Sequence, residues 1–329
     1  MSTHTIIAEV GSVHDGSFGN ALKLIELGAS LGIDAVKFQT HIPVEETLKS
    51  APSPGYFSSE NRFDYFARTG FAKSQWAELK ACADENDVAF ISSPFSELAV
   101  EWLVDIGVSA LKIASGEVTN LPMLESIRDS GLPVLLSSGM SDWNELDAAV
   151  SILVKPDLTL MQCSSSYPCS YSDVGLNVIA EMRERYGVPV GFSDHTETNY
   201  AAFAAVAQGA ICIEKHLTFS KAMYGSDAPL AAEPEQFRDL VAGVRAITEI
   251  NNSSVDKNDS SAYTKMKQIF EKSIVARRDI VAGEVITKEM LSYKKPGDGL
   301  SAARFKEVIG KKAKRAINQD DFIQLTDIK

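Results

Sequence analysis

Two histidines stand 21 residues apart, His195 in Ser193-Asp194-His195-Thr196 and His216 in Glu214-Lys215-His216-Leu217-Thr218. Each comes at the end of a short run with strand character, and the interval is about one β/α unit of a parallel barrel. Neighbouring strands of such a barrel would carry both imidazoles to one rim. Two neutral imidazoles there suit a divalent metal with coordination positions left open: Mn2+ first, with Mg2+ or Co2+ as alternatives. Lysines and serines end the earlier runs of the same kind. Together they point to an enzyme that handles an anionic substrate beside a metal ion.

The elements that must position these residues alternate along the chain. Strand-like runs fall at 5–10, 35–38, 89–92, 110–113, 134–137, 158–162, 189–192 and 211–214, and amphipathic stretches at 18–31, 74–85, 96–106, 121–129, 141–153, 174–186, 199–207 and 233–250. Eight strands, each followed by a helix, in about 250 residues predict an α/β fold, a (β/α)8 TIM barrel. A doubly wound open sheet would carry a glycine-rich phosphate loop after its first strand, and Gly11-Ser12-Val13-His14-Asp15-Gly16 does not fit that fingerprint. Residues 41–71 read as a long irregular loop after the second strand, a binding loop or lid on the catalytic face. Past residue 250 the composition turns small and polar. The expected organisation is a barrel domain over 1–250, a linker over 251–271 and a small β-rich module over 272–329.

Side chains at the carboxyl ends of barrel strands converge on one mouth. Those positions hold Glu9, Lys37, Gln39, Ser93, Lys112, Ser115, Glu117, Ser137, Ser138, Ser165, Tyr167, Ser193, Asp194, His195 and His216. Lys37 and Lys112, with the hydroxyls of Ser137 and Ser193, would form a cradle for phosphate or carboxylate. The plainer alternative is a pair of lysines neutralised by carboxylates. Glu117 is the candidate for contacting substrate hydroxyls or activating a water; otherwise it only orders a lysine, and the same choice holds for Glu9. Asp194 is placed for a supporting or general-base role. His4 and His41 read as structural, and His14 is left unassigned.

A formal net charge of −12 argues against nucleic acid as a partner. The longest apolar stretch, near 201–213, is broken by Gln208 and Gly209 and is too short for a membrane span. Four cysteines without a CxxC pair suit a reducing compartment, and a cytoplasmic location is expected.

Several strings resemble the sialic acid synthase family: Ala8-Glu9-Val10-Gly11, Val36-Lys37-Phe38-Gln39-Thr40, Ser92-Ser93-Pro94-Phe95, Lys112-Ile113-Ala114-Ser115-Gly116-Glu117, Ser137-Ser138-Gly139-Met140, Tyr167-Pro168, Ser193-Asp194-His195-Thr196 and Glu214-Lys215-His216. The C-terminal residues 278–300 and Ile309-Gly310-Lys311-Lys312 resemble its antifreeze-like (SAF) domain. The resemblance implies condensation of phosphoenolpyruvate with an open-chain N-acetylated amino sugar, N-acetylmannosamine or a relative, to a nonulosonic acid and phosphate. It implies that His195 and His216 bind the metal; with Glu117, taken from its position, they are the candidate catalytic residues. Lys37, Lys112, Ser115, Ser137 and Ser193 would hold phosphoenolpyruvate with Ser93 nearby, while Glu9, Gln39, Tyr167 and Asp227 would contact the sugar. It also implies a homodimer in which the small module closes the other subunit's barrel.

Three positions depart from the family pattern: Val13 before His14, Ser165 two residues before Tyr167, and Lys295 where the family has an arginine before Pro-Gly. A lysine does not reproduce a planar bidentate fork, so the departures bear on the acceptor sugar. A 2,4-diacetamido-6-deoxy sugar, giving legionaminic or pseudaminic acid, is the alternative acceptor. Two further readings differ in kind. One is a phosphoenolpyruvate-using barrel for 3-deoxy sugar acids, which residues 272–329 argue against. The other is a non-catalytic sugar-binding barrel, which the retained histidines and lysines argue against.

Overall fold

The computed structural model describes residues 4–53, 60–154 and 157–329. They form two compact units, Met1–Ser253 and Ser254–Lys329. In the first, strands β1 (Thr5–Gly11), β2 (Ala35–Thr40), β3 (Ala89–Pro94), β4 (Ala110–Ile113), β5 (Val134–Ser137), β6 (Leu158–Cys163), β7 (Val190–Asp194) and β8 (Cys212–His216) close into a barrel in chain order. All eight pairings are parallel, including β8 with β1. The helices are α1 (Phe18–Ser30), α2 (Pro43–Glu46), α3 (Arg62–Thr69), α4 (Lys73–Glu85), α5 (Glu97–Ile106), α6 (Leu121–Ser130), α7 (Trp143–Ile152), α8 (Asn177–Tyr186), α9 (Tyr200–Ala207) and α10 (Pro234–Asn252).

Local chemistry fixes the helix ends. Ser17, Ser96 and Asp142 accept backbone N–H bonds as N-caps of α1, α5 and α7, and Gly107, Gly131 and Gly187 take left-handed backbone past α5, α6 and α8.

Strand alternation then sorts the side chains. Outward residues such as Ile6, Val36, Phe90, Leu111, Leu160 and Ile213 enter one large core with the helices, while Ile7, Ala35, Ile91 and Ala110 form a small apolar floor inside the barrel. The inward residues one step nearer the strands' carboxyl ends are Glu9, Lys37, Ser93, Lys112, Ser137, Cys163, Ser193 and His216, so the polar layer lies directly above that floor.

One expectation needs correction. The segment 41–71 is not irregular throughout: α2 and α3 form within it, and Asn61 caps α3 by accepting from the Phe63 N–H at 2.8 Å. Residues 54–59 of that segment lie outside the described residues. The stretch 251–271, expected as a linker, carries the end of α10 and a further helix, α11 (Thr264–Phe270).

In the second unit, β9 (Ser273–Ala276) and β10 (Leu291–Lys294) pair antiparallel. Isolated bridges and turns surround a core of Ile274, Ile280, Ile286, Leu291, Val308, Ile317 and Ile323. Among the described residues, no helix is long and apolar enough to cross a membrane.

Candidate active site

The barrel mouth opens into a cavity of about 400 Å3. At its floor, two lysines and two carboxylates interlock. Lys37 Nζ lies 2.8 Å from Glu9 Oε2 and 3.6 Å from Glu214 Oε1; Lys112 Nζ lies 2.9 Å from Glu214 Oε2. The Ser193 hydroxyl donates to Glu214 Oε1 at 3.1 Å, and Gln39 Nε2 donates to Glu9 Oε1 at 2.7 Å. Strand register explains the cluster, since Glu9 lies opposite Lys37 on one side and His216 on the other, and Ser193 lies opposite Glu214.

The burial of these charges is offset by pairing. Desolvation disfavours the Lys37 ammonium, but Glu214 and Glu9 outweigh it and hold its pKa above the ordinary lysine value. Desolvation likewise opposes the Glu214 carboxylate, and Lys112 and Lys37 overcome it and hold that group below the usual range. Each ammonium has three donors, so a lysine paired here can still donate to an entering anion. The hydroxyls of Ser115 and Ser137 stand 3.0 Å apart beside this floor, and Ser93 and Ser165 line the same cavity. A Cβ at Gly139 would come within 2.4 Å of Ser165 Oγ and 2.7 Å of Ser115 Oγ, so glycine there keeps room for the hydroxyls.

His195 follows β7 and His216 ends β8; their ring centroids are 6.0 Å apart. His195 Nδ1 is 2.8 Å from the Ser164 carbonyl, which can only accept, so Nδ1 carries a proton and, in the neutral ring, Nε2 presents a lone pair. The Tyr167 hydroxyl, 3.1 Å away, can donate to that lone pair. Burial opposes the His195 imidazolium, but Cys163, the Ser164 carbonyl and Glu214 outweigh it and raise its pKa. Burial dominates at His216 and lowers its pKa, favouring a neutral ring. His216 Nδ1 is buried without a hydrogen-bond partner among the described residues.

These two rings fit a divalent metal: both are inward, close, and each offers or leaves unpaired a ring nitrogen. Among the described residues, no group of three or more His, Cys, Asp and Glu side chains is arranged to hold a metal. Two protein ligands would therefore leave the remaining positions to substrate oxygens and water.

Asp227 lines the cavity beside His216. Its Oδ2 accepts from the Ser12 N–H at 2.8 Å and the Ser12 hydroxyl at 2.9 Å, and Ser226 donates to Oδ1 at 3.1 Å. Burial raises the Asp227 pKa, but His216 and these hydrogen bonds prevail and lower it.

Of the residues singled out in the sequence, Glu9, Lys37, Gln39, Ser93, Lys112, Ser115, Ser137, Ser165, Tyr167, Ser193, His195, His216 and Asp227 line one cavity. Glu117 is outside that lining; it accepts from Asn120 Nδ2 at 3.0 Å, and burial raises its pKa. Asp194 is also elsewhere. It sits on the outward face of β7 in a buried pair with Lys215 at 2.7 Å, because its parity is opposite to that of Ser193. Ser138 likewise lies off the cavity, donating to Gln162 Oε1 at 3.0 Å. Lys295 belongs to the second unit, where its Nζ lies 5.0 Å from the Phe270 ring centroid.

Sequence reasoning left out Glu214, although strand period 2 requires it to share the inward face of His216. It also left out Arg62, which lines the cavity from α3.

A parallel barrel whose mouth gathers paired lysines, carboxylates, hydroxyls and two adjacent imidazoles is an enzyme of small-molecule metabolism built for an anionic substrate. Residues 24–256 match the NeuB family and residues 271–329 the SAF domain. The chain is 34% identical to N,N'-diacetyllegionaminic acid synthase of Campylobacter jejuni, covering 98% of this chain and all of the relative. It is 30% identical to human N-acetylneuraminate-9-phosphate synthase, covering 97% of this chain and 90% of the relative. The solved structure of N-acetylneuraminic acid synthetase from Leptospira borgpetersenii gives a TM-score of 0.72 at 31% identity, covering 80% of this chain and 90% of that one. The chain belongs to the NeuB family.

Proposed function

We propose that this protein condenses phosphoenolpyruvate with an open-chain N-acetylated amino sugar and water, giving a nonulosonic acid and inorganic phosphate. The observation that carries this reading is the meeting of Lys37, Lys112 and the serine hydroxyls with the His195–His216 pair at one barrel mouth. The first group suits a phosphorylated anion, and the second suits the carbonyl end of a sugar.

In this reading Lys37, Lys112, Ser115, Ser137 and Ser193 hold the enol phosphate, with Ser93 beside them. Glu214 pairs with both lysines and holds them at the cavity floor. His195 and His216 hold the divalent ion, for which we propose Mn2+; when bound, it supplies Lewis acidity at a carbonyl oxygen. Tyr167 fixes the orientation of the His195 ring, and the Ser164 carbonyl fixes its tautomer. Asp227, Gln39 and Glu9 present hydrogen-bonding groups to the sugar. Carbon 3 of the enol phosphate bonds to the aldehyde carbon, water adds at carbon 2, and the carbon–oxygen bond to phosphate breaks. Glu9, already paired with Lys37 and Gln39, is the cavity carboxylate placed to orient that water, the role the spacing gave to Glu117.

The 34% identity to a diacetyllegionaminic acid synthase favours a 2,4-diacetamido-6-deoxy sugar as the second acceptor reading. The match of residues 271–329 to the SAF domain supports a homodimer with exchanged small modules, in which Lys295 would serve the other subunit's cavity. The test is phosphate release from phosphoenolpyruvate with a panel of both acceptor classes, with product stereochemistry read by NMR. Release with one acceptor and Mn2+ is expected. No release with any acetamido sugar would contradict the reading.

A further inference from the structure

Among the described residues, three side chains of lysine or arginine line the cavity: Lys37, Lys112 and Arg62. The first two are neutralised at the floor. Arg62 is not: no carboxylate of the described residues lies within ion-pair distance of it, although Glu117 senses its charge. Its Nε is buried and has no hydrogen-bond partner among those residues.

The guanidinium is nevertheless held. Its Cζ stands 5.6 Å from the Phe66 ring centroid. Phe66 stacks on His41 at 3.6 Å and 16°, and His41 stacks on Phe95 at 4.0 Å and 17°. Glu46 Oε1 anchors His41 Nδ1 at 2.7 Å, and Ser53 Oγ accepts the Arg62 backbone N–H at 2.9 Å. Phe95, His41, Phe66 and Arg62 all line the cavity, so the stack forms a ledge above the strand ends. A planar fork of donors, partly desolvated and without a counter-ion, is the arrangement that receives a carboxylate or phosphate.

We propose that Arg62 is a specificity-determining residue that binds a negatively charged group of a substrate at the cavity mouth, resting on the synthase reading above. Two groups share this chemistry: the carboxylate of the enol phosphate, and a phosphate at the far end of an acetamido sugar. The lysine floor lies below the ledge, so a substrate spanning the cavity can meet both.

The test measures equilibrium binding by titration calorimetry on the full chain. The probes are phosphoenolpyruvate, and N-acetylmannosamine 6-phosphate against unphosphorylated N-acetylmannosamine. Wild type is compared with Arg62→Ala, Arg62→Gln and Arg62→Lys, and thermal unfolding checks the fold of each. For Arg62→Ala and Arg62→Gln, a loss of about tenfold or more in affinity for phosphoenolpyruvate assigns the carboxylate. The same loss confined to the phosphorylated sugar assigns the sugar phosphate. Arg62→Lys should recover only part of either loss, because a point charge does not make a fork. Affinities within about twofold of wild type for all probes would overturn the inference. Binding needs no turnover, so failure of the synthase reading shows separately, as absent phosphate release with the binding contrast intact.

Discussion

Glu214 accepts from Lys112 through both carboxylate oxygens, at 3.2 and 2.9 Å, while the same carboxylate stands 3.6 Å from Lys37. All three side chains are buried. Truncating one partner of such a pair leaves an uncompensated buried charge, which costs about 3–5 kcal/mol. Glu214→Ala should lose stability on that scale in urea unfolding and lose phosphate release. Glu214→Gln, which keeps the shape and one acceptor oxygen, should be milder in unfolding. A loss below about 1 kcal/mol for the alanine variant would remove Glu214 from the centre of the floor.

His14 gives a pH dependence of defined sign. Burial, with a smaller contribution from His41, lowers its pKa from 6.5 to about 4, against the opposing pull of Asp227 and the Gly11 backbone. Its ring packs 4.7 Å from Phe71. Between those two values the unfolded chain binds a proton that the folded chain refuses. The associated stability is therefore complete above the unfolded pKa and falls as pH drops toward the folded one, by about 3 kcal/mol in all. Comparing urea midpoints of wild type and His14→Gln from neutral to acid pH checks this. The gap between the two proteins should narrow as pH falls; parallel curves would contradict it.

Gly11 ends β1 with φ +52°, and a Cβ there would sit 2.5 Å from Asp227 Oδ2 and 3.2 Å from His216 Cε1. Both strain and collision follow for any other residue. Gly11→Ala should cost about 1–3 kcal/mol. Because it pushes on Asp227 and His216, it should also depress turnover more than Gly19→Ala, whose added carbon meets nothing within 4 Å. Equal turnover of the two variants would contradict the placement.

The thiols stand in different electrostatic surroundings. Burial raises the Cys163 pKa, but His195, Lys112 and Ser137 outweigh it and bring it below the ordinary thiol value. Burial pushes Cys212 up to about 12 and also raises Cys82. Cys163 lines the cavity. Brief treatment with iodoacetamide followed by peptide mass mapping should find Cys163 modified before Cys212 and Cys82, with phosphoenolpyruvate slowing the reaction at that site. Preferential labelling of Cys82 would contradict this.

The barrel was legible because strand runs and amphipathic runs alternate from Thr5 to Asn252. The floor lysines and the histidines were legible because strand ends in this fold converge, whatever the residue types. Parity separated what spacing could not. Ser193 and Asp194 are neighbours, as are Glu214 and Lys215, yet only the first of each pair faces inward; the others meet outside the barrel as the Asp194–Lys215 pair. Taking His195 and His216 as inward fixes the two choices by alternation, and that signal was present in the chain. Glu117 follows β4 in a short 3-10 turn, where alternation no longer applies and the turn directs the side chain to Asn120. Arg62 was harder to read. It lies in an eight-residue helix too short to show a helical period in the sequence, and its position depends on the Phe66–His41–Phe95 stack formed by three separate segments.

The most direct test is phosphate release from phosphoenolpyruvate and an acetamido sugar by chelator-treated protein during titration with Mn2+, run in parallel on His216→Ala. The wild-type chain should be inactive without the ion and regain turnover as it is added, while the folded His216→Ala chain stays inactive throughout. Full turnover by the stripped wild type, or recovery by His216→Ala at the same Mn2+ concentration, would contradict the pairing of a metal site with an anion cradle at this barrel mouth.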